Sequence, residues 1–252
     1  VTGVQTCALP ISKNFILLIA LMSVLQQSII GQIKTVKIGT QVWTAENLDV
    51  SKFRNGDLIP EAKTEEEWTR AGINKQPAWC YYNNEAANGS KYGKLYNWYA
   101  VSDPRGLAPA GYHIPSDAEW TQLTDFLGSD AGTKMKSANG WGVMENIPCP
   151  NCKDWNEEYR KKVPCHTCKD TRSSGKKLVS KGNGNNSSGF TGLPGGVRSS
   201  SGSFDNVGEY GAWWSSTEYD TGDAWGRYLL YYGGFVSRHD DNKPRSEEHT
   251  SE

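Results

Sequence analysis

Residues 116–127 read SDAEWTQLTDFL, and the fold class turns on them. Ser116 followed three residues later by Glu119 is a capping box. The hydroxyl accepts an orphan backbone N–H of the first turn, and the carboxylate reaches back to the cap. Trp120, Leu123, Phe126 and Leu127 then fall on one helical face, so the spacing predicts an amphipathic helix over about 117–128. Upstream, Thr64-Glu65-Glu66-Glu67 before Trp68 is a second box and predicts a short helix ending near Gly72. Residues 35–38 and 41–43 flank Gly39-Thr40, the pattern of a β-hairpin with a two-residue turn. The stretch 78–82 reads as an aromatic strand around Cys80, 89–93 as a loop, and 95–101 as a short aromatic helix or turn. Downstream the pattern changes to short runs between glycine-rich turns, at 190–193, 197–199, 212–216, 228–232 and 235–239, with a hairpin at Tyr231-Tyr232-Gly233-Gly234. Early helices followed by short strands predict an α+β domain with short antiparallel strands and two or three short helices.

The chain has 252 residues, 37% hydrophobic and 22% charged, with a formal net charge of -1. That balance excludes a nucleic-acid binder driven by a strongly basic surface, and it excludes an acidic solvating tail. With 27 Gly, 10 Trp and 12 Tyr, it describes a turn-rich, aromatic globular protein.

Both ends are expected to be foreign to the fold. Residues 1–11 (VTGVQTCALPI) and 245–252 (RSEEHTSE) can be encoded by one nucleotide strand and its reverse complement, as translated sequencing adapter would be. Between the first of them and the domain, Lys13 precedes the apolar run 15–25. That run is too short to span a bilayer of about 30 Å. It fits a secretory signal peptide over 12–31, with cleavage between Gly31 and Gln32. The expected mature chain, 32–244, carries 25 basic and 25 acidic residues and has no transmembrane helix. A secreted, periplasmic or cell-surface location in a bacterium follows as an expectation.

Residues 145–187 are charged, contain cysteines and end in a Gly/Asn/Ser run, the signature of an insertion with a flexible exit. Inside it, Cys149 and Cys152 form one C-x2-C pair and Cys165 and Cys168 another, with twelve residues between the pairs. Four thiolates from two tight turns can converge on one Zn2+ at about 2.3 Å per bond. All four ligands then come from protein, which describes a structural knuckle and not a catalytic centre. Export to an oxidising compartment favours disulfides instead. A redox pair is the third reading, although no thioredoxin-like βαβ context surrounds it. His166 is expected beside the ligands, not among them. Cys80 reads either as a buried inert thiol or as half of a disulfide to a segment beyond residue 244.

Catalytic signals are weak. There is no G-x-S-x-G, no H-E-x-x-H and no glycine-rich phosphate loop before a helix. His113 sits just before the Ser116 cap and is expected to be structural. His239 with Asp240 or Asp241 is the one candidate acid/base or metal group. Aromatics offer a binding reading. Trp213-Trp214 in a strand must point to opposite faces, so one reads as core and the other can be exposed, although burial is the better reading for any single tryptophan. With Trp225 and Tyr228 they are the candidate ligand-binding residues, able to stack on sugar rings or anchor a protein partner.

These blocks carry a family likeness: VKIGTQVWTAENLDV (36–50), FRNGDLIP (53–60), PAWCYYNN (77–84), YGKLYNWYAV (92–101), GYHIPSDAEWTQL (111–123), GFTGLPGGVR (189–198) and GAWWSSTEYD (211–220). Together they resemble the Fibrobacter succinogenes major paralogous domain over about 36–243. The resemblance implies a C-type-lectin-like fold, the one used by formylglycine-generating enzymes. It also implies an exported protein of bacteria such as Bacteroidota and Fibrobacterota, in a family mostly without assigned activity. No cysteine matches the paired catalytic cysteines of the formylglycine-generating enzymes. The calcium-ligating E-P-N, Q-P-D and W-N-D motifs of sugar-binding C-type lectins are also missing. The family's usual closing strand, near a GFSVRCV-like stretch, is absent after Lys243-Pro244, and it would supply a partner for Cys80. The expected function is an exported, non-catalytic surface or periplasmic domain that binds a glycan or a cell-envelope protein. A carbohydrate-active enzyme and a purely structural envelope component are the alternatives.

Overall fold

The computed structural model describes residues 33–152, 154, 173–180 and 183–247. The expected signal peptide and the first adapter-like segment lie outside them. No helix among the described residues is long and apolar enough to cross a membrane.

The chain folds as α+β, with short helices and several small antiparallel sheets. Strands β1 (Thr35–Ile38) and β2 (Gln41–Thr44) form the expected hairpin, with Ile38 opposite Gln41. Gly39 takes φ +62° at the first turn position, where L side chains are strained. Helix α1 (Glu65–Ile73) starts at its capping box, with Thr64 accepting from Glu67 N and Glu67 Oε2 accepting from Thr64 N. Strand β3 is only Trp79–Cys80 and pairs with β4 (Leu95–Asn97). Between them lies helix α2 (Ala86–Tyr92), where the sequence predicts a loop. It tolerates Gly89 at its centre because the Tyr81 ring packs where a side chain would go. Helix α3 (Trp98–Val101) follows, capped by the Asn97 side chain on Ala100 N.

Helix α4 (Asp117–Leu127) carries both halves of its capping box and buries Trp120, Leu123 and Leu127. Phe126 corrects the expected stripe: it is 64% exposed. It lies about 120° around the helix from Trp120 and packs over Gly39 instead. After α5 (Ala131–Met135), strands β5 (Gly142–Pro148) and β6 (Ser173–Ser180) form a ribbon of their own, pairing from Gly142–Ser180 to Pro148–Ser173. The expected insertion is therefore an outgoing and a returning strand. Residues 190–193 form no strand beyond a bridge from Gly192 to Lys136. Strands β7 (Val197–Arg198) and β8 (Phe204–Asp205) pair with each other.

The three-stranded sheet has β10 (Asp223–Leu230) at its centre, between β9 (Tyr210–Glu218) and β11 (Val236–Asn242). Strand β12 (Ser246–Glu247) lies between β4 and β7 in the other main sheet, and the Ser246 hydroxyl accepts from Arg198 N. Those two residues fall in the stretch set aside on the sequence as adapter-like. They are held mostly through the backbone, which pairs without regard to side-chain identity.

Strand β9 separates two cores. Trp213 faces Trp43, Trp120 and Phe190, with ring centroids of Trp120 and Phe190 at 6.5 and 5.7 Å. Trp214 faces Trp79, Tyr96 and Trp98 on the other side. The indoles are also struts. Trp120 Nε1 donates to Trp214 O (3.3 Å), Trp214 Nε1 to Tyr96 O (3.3 Å) and Trp98 Nε1 to Ser215 O (3.1 Å). A buried indole N–H needs such an acceptor.

Lys136 is fully buried beneath the β10–β11 turn. Its ammonium donates to Leu230 O, Gly233 O and Asn183 Oδ1 at 2.8, 2.5 and 2.9 Å. Burial pushes it down to about 8. Between that value and the ordinary 10.5 the unfolded chain binds more protons, so this group's contribution to stability rises with pH through the window. Urea unfolding at several pH values should show the parent gaining on Lys136→Met between pH about 8 and 10.5, and holding a constant difference below it.

Candidate functional site

The most distinctive feature is a break in the register of β9 against β10. Glu218 pairs with Ala224, but Trp214 pairs with Gly226. Strand β9 therefore carries two extra residues opposite Trp225. A bulge of this kind bends a strand and re-aims the side chains beside it. Here it leaves Trp225 half-buried at the sheet's end, with the 52%-exposed Tyr219 meeting it edge-on, ring centroids 4.7 Å apart. The Arg238 guanidinium lies over the Trp225 ring, its Cζ 3.3 Å from the centroid, a cation–π contact.

Asp117 fixes that guanidinium. Arg238 Nε and Nη2 reach its two carboxylate oxygens at 2.9 Å each. Arg227 Nη1 shares Oδ1 at 2.7 Å, and its Nη2 donates to Asp117 O and Thr121 Oγ1. Burial alone would raise the Asp117 carboxyl. The Arg238 and Arg227 hydrogen bonds and charges overcome it and hold the group below its usual range. Desolvation pulls Arg227 down and its bond to Asp117 opposes that, whereas the same carboxylate raises Arg238. The surface thus presents an exposed phenol, a half-buried indole and a clamped guanidinium, the mixture that stacks on flat rings and donates to hydroxyls.

The structure redistributes the residues singled out on the sequence. Trp213 and Trp214 are both fully buried, so burial holds for each and neither of these two candidate ligand-binding residues lies at the surface. Alternation does send them to opposite faces, but β9 is covered on both. Tyr228 is also in the core at 5% exposure, its hydroxyl bound to the Asp241 carboxylate. Trp225 alone of the four reaches the surface, and Tyr219, Arg238 and Asp117 join it. Sequence reasoning missed those three because the bulge and the clamp arise from pairing between strands.

His239 and Asp240 are exposed. Asp240 points to the opposite face of β11 from its neighbours. The Asp241 carboxylate is engaged by Tyr228 and Arg245, and His239 stacks edge-on against Tyr228 at 5.1 Å. His113 Nε2 lies 3.0 Å from Glu119 Oε1 at the helix cap, the structural role expected for it. Cys80 is buried in the cluster of Trp68, Tyr82 and Leu95. Burial pushes its thiol up to about 12, only partly opposed by Arg198, so it stays protonated and unreactive.

Cys149 and Cys152 sit directly after β5. Both are buried in a turn closed by Cys152 N donating to Cys149 O at 3.2 Å. Cys165 and Cys168 lie outside the described residues. Among the described residues no cluster of three or more His, Cys, Asp or Glu forms a metal site.

These features define a small aromatic-cored α+β domain with a bulge-presented aromatic surface and a cysteine-tipped ribbon. The chain belongs to the Fibrobacter succinogenes major domain family, whose model matches residues 36–247. No curated protein and no solved structure matches it.

Proposed function

We propose that this domain is an exported, non-catalytic binding module of C-type-lectin-like fold, and that it holds a glycan against Tyr219, Trp225 and Arg238. The observation that carries this reading is the β9 bulge, which sets two aromatic rings at the surface under a guanidinium already fixed by Asp117. A preformed site loses little conformational entropy on binding. Export rests on the apolar run at 15–25 and on the family. The test is retention of residues 32–247 on polysaccharides and on bacterial envelope fractions. Saturable retention on a polysaccharide should fall at least tenfold in Trp225→Ala and in Tyr219→Ala, with thermal midpoints within a few degrees of the parent. Retention that survives both substitutions defeats the assignment. Retention only on a protein of the envelope moves the ligand to a protein partner.

The ribbon is proposed to be a separate structural unit closed by one Zn2+ on Cys149, Cys152, Cys165 and Cys168. The reading rests on the C-x2-C spacing of both pairs and on the burial of Cys149 and Cys152 directly after β5. Native mass spectrometry should find one zinc per chain, lost on replacing any one cysteine by serine. Intact mass short by two protons per cysteine pair, with no zinc, assigns disulfides instead.

A further inference from the structure

A second concave feature lies away from Trp225 and is built from three stretches distant in sequence. Residues 45–49, the end of α2 through Gly93, and Thr191 with Leu193 enclose a cleft of about 350 Å3, within the size range of small-molecule sites, about 300–1,000 Å3. Its walls are held from behind. Asn47 accepts from Trp213 Nε1 (3.2 Å) and donates to Tyr92 O (2.8 Å), which ties the 45–49 loop both to the core and to the end of α2. Gly93 takes φ +79°, and a Cβ there would lie 2.9 Å from Leu48 O, so the two walls meet at the closest backbone approach a glycine permits.

Thr191 is the second observation. It is β-branched yet sits at φ +60°, a left-handed conformation rare for such residues. The Asn186 side chain holds it there, accepting from Thr191 N at 2.8 Å and donating to Thr191 Oγ1 at 3.1 Å. Strain of this kind persists only where the surroundings impose it, and it concentrates at sites that clamp ligands.

The chemistry of the walls points to a ligand class. Acceptors dominate: the carboxylates of Glu46 and Asp49, with the Ser90 and Thr191 hydroxyl oxygens, whose own protons go to Ala87 O and Gly189 O. The charges balance locally, because Lys91 lines the cleft and Lys94 pairs with Asp49. An acceptor-rich, charge-balanced cleft suits a neutral molecule rich in hydroxyl donors, and it disfavours a phosphate or a free cation. We infer that this half-open cleft is a second binding site of the domain, taking a single neutral sugar ring or a polyol of that size.

The test uses residues 32–247 and a panel of neutral methyl glycosides, followed by ligand-observed NMR and titration calorimetry. Inorganic phosphate and methylammonium serve as the charged probes. Ser90 is exposed on α2, so Ser90→Trp fills the mouth without touching the core, and Thr191→Gly accepts the same backbone with the wall side chain removed. At least one glycoside should bind saturably, with affinity falling tenfold or more in both variants and unchanged in Trp225→Ala. Equal binding to parent and Ser90→Trp overturns the inference, as does saturable binding of only a charged probe or of nothing. Glycoside binding lost in Trp225→Ala but kept in Ser90→Trp leaves the aromatic surface standing and removes the cleft. The reverse pattern keeps the cleft and removes the aromatic surface.

Discussion

Asp117→Asn is expected to cost the domain about 3–5 kcal/mol, the range for removing one partner of a buried ion pair. Arg227 is 3% exposed along its side chain, and the Asp117 carboxylate is the charge that faces it. The amide can keep one hydrogen bond but leaves the buried guanidinium uncompensated. The same substitution releases Arg238 from its two-point clamp, so the Trp225 surface loses its order along with the fold. Urea unfolding at pH 7 should show the midpoint falling with the slope unchanged. The sign with pH is also set. The Asp117 carboxyl titrates below its usual range in the folded chain, so the unfolded chain takes up the proton first as pH falls. The parent's advantage over Asp117→Asn is complete above pH about 4–5 and shrinks progressively below it. A gap that stayed constant down to pH 2 would mean that the two arginines contribute nothing through charge.

Trp213→Ala and Trp214→Ala should each cost about 3–5 kcal/mol, the usual penalty for emptying a buried indole site. Both side chains are fully buried. Each also removes a strut, the bond from Trp213 to Asn47 or that from Trp214 to Tyr96. The two rings lie in separate clusters, but they are neighbours on one strand, and Trp120 both packs on Trp213 and donates to Trp214 O. The milder Trp213→Phe and Trp214→Phe should therefore couple by about 0.5–3 kcal/mol in a double-mutant cycle, and strict additivity would show that Trp120 transmits nothing between the clusters. Neither residue is expected to affect glycan binding except through loss of the folded state, in contrast to Trp225→Ala.

Local chemistry made much of this fold readable. Capping boxes at Thr64 and Ser116 act within four residues, and both helices start where those boxes lie. The Gly39 turn is equally local, and so is the hairpin it closes. Helix α2 escaped because Gly89 interrupts it and its support is the Tyr81 ring, brought in by the tertiary fold. Two-residue strands such as β3, β7 and β12 carry too little pattern to be seen singly. The proposed binding surface was legible only at Trp225. Alternation shows that neighbouring tryptophans diverge, but it cannot show that both sides of β9 are covered. Nor can a single strand reveal a bulge, which exists only relative to β10. Asp117 carries no signal in the sequence beyond its place after the Ser116 cap, because its two arginines lie 110 and 121 residues away.

The cysteine-bearing ribbon leaves and rejoins the domain at neighbouring points, since Gly142 and Ser180 face each other across the ladder. Opposed residues in an antiparallel pair lie about 5 Å apart, a gap that two residues of chain can bridge. A short turn joining Gly142 to Ser180 is therefore expected to keep the chain path of the domain continuous, and the same junction is where a reporter or an epitope would be grafted.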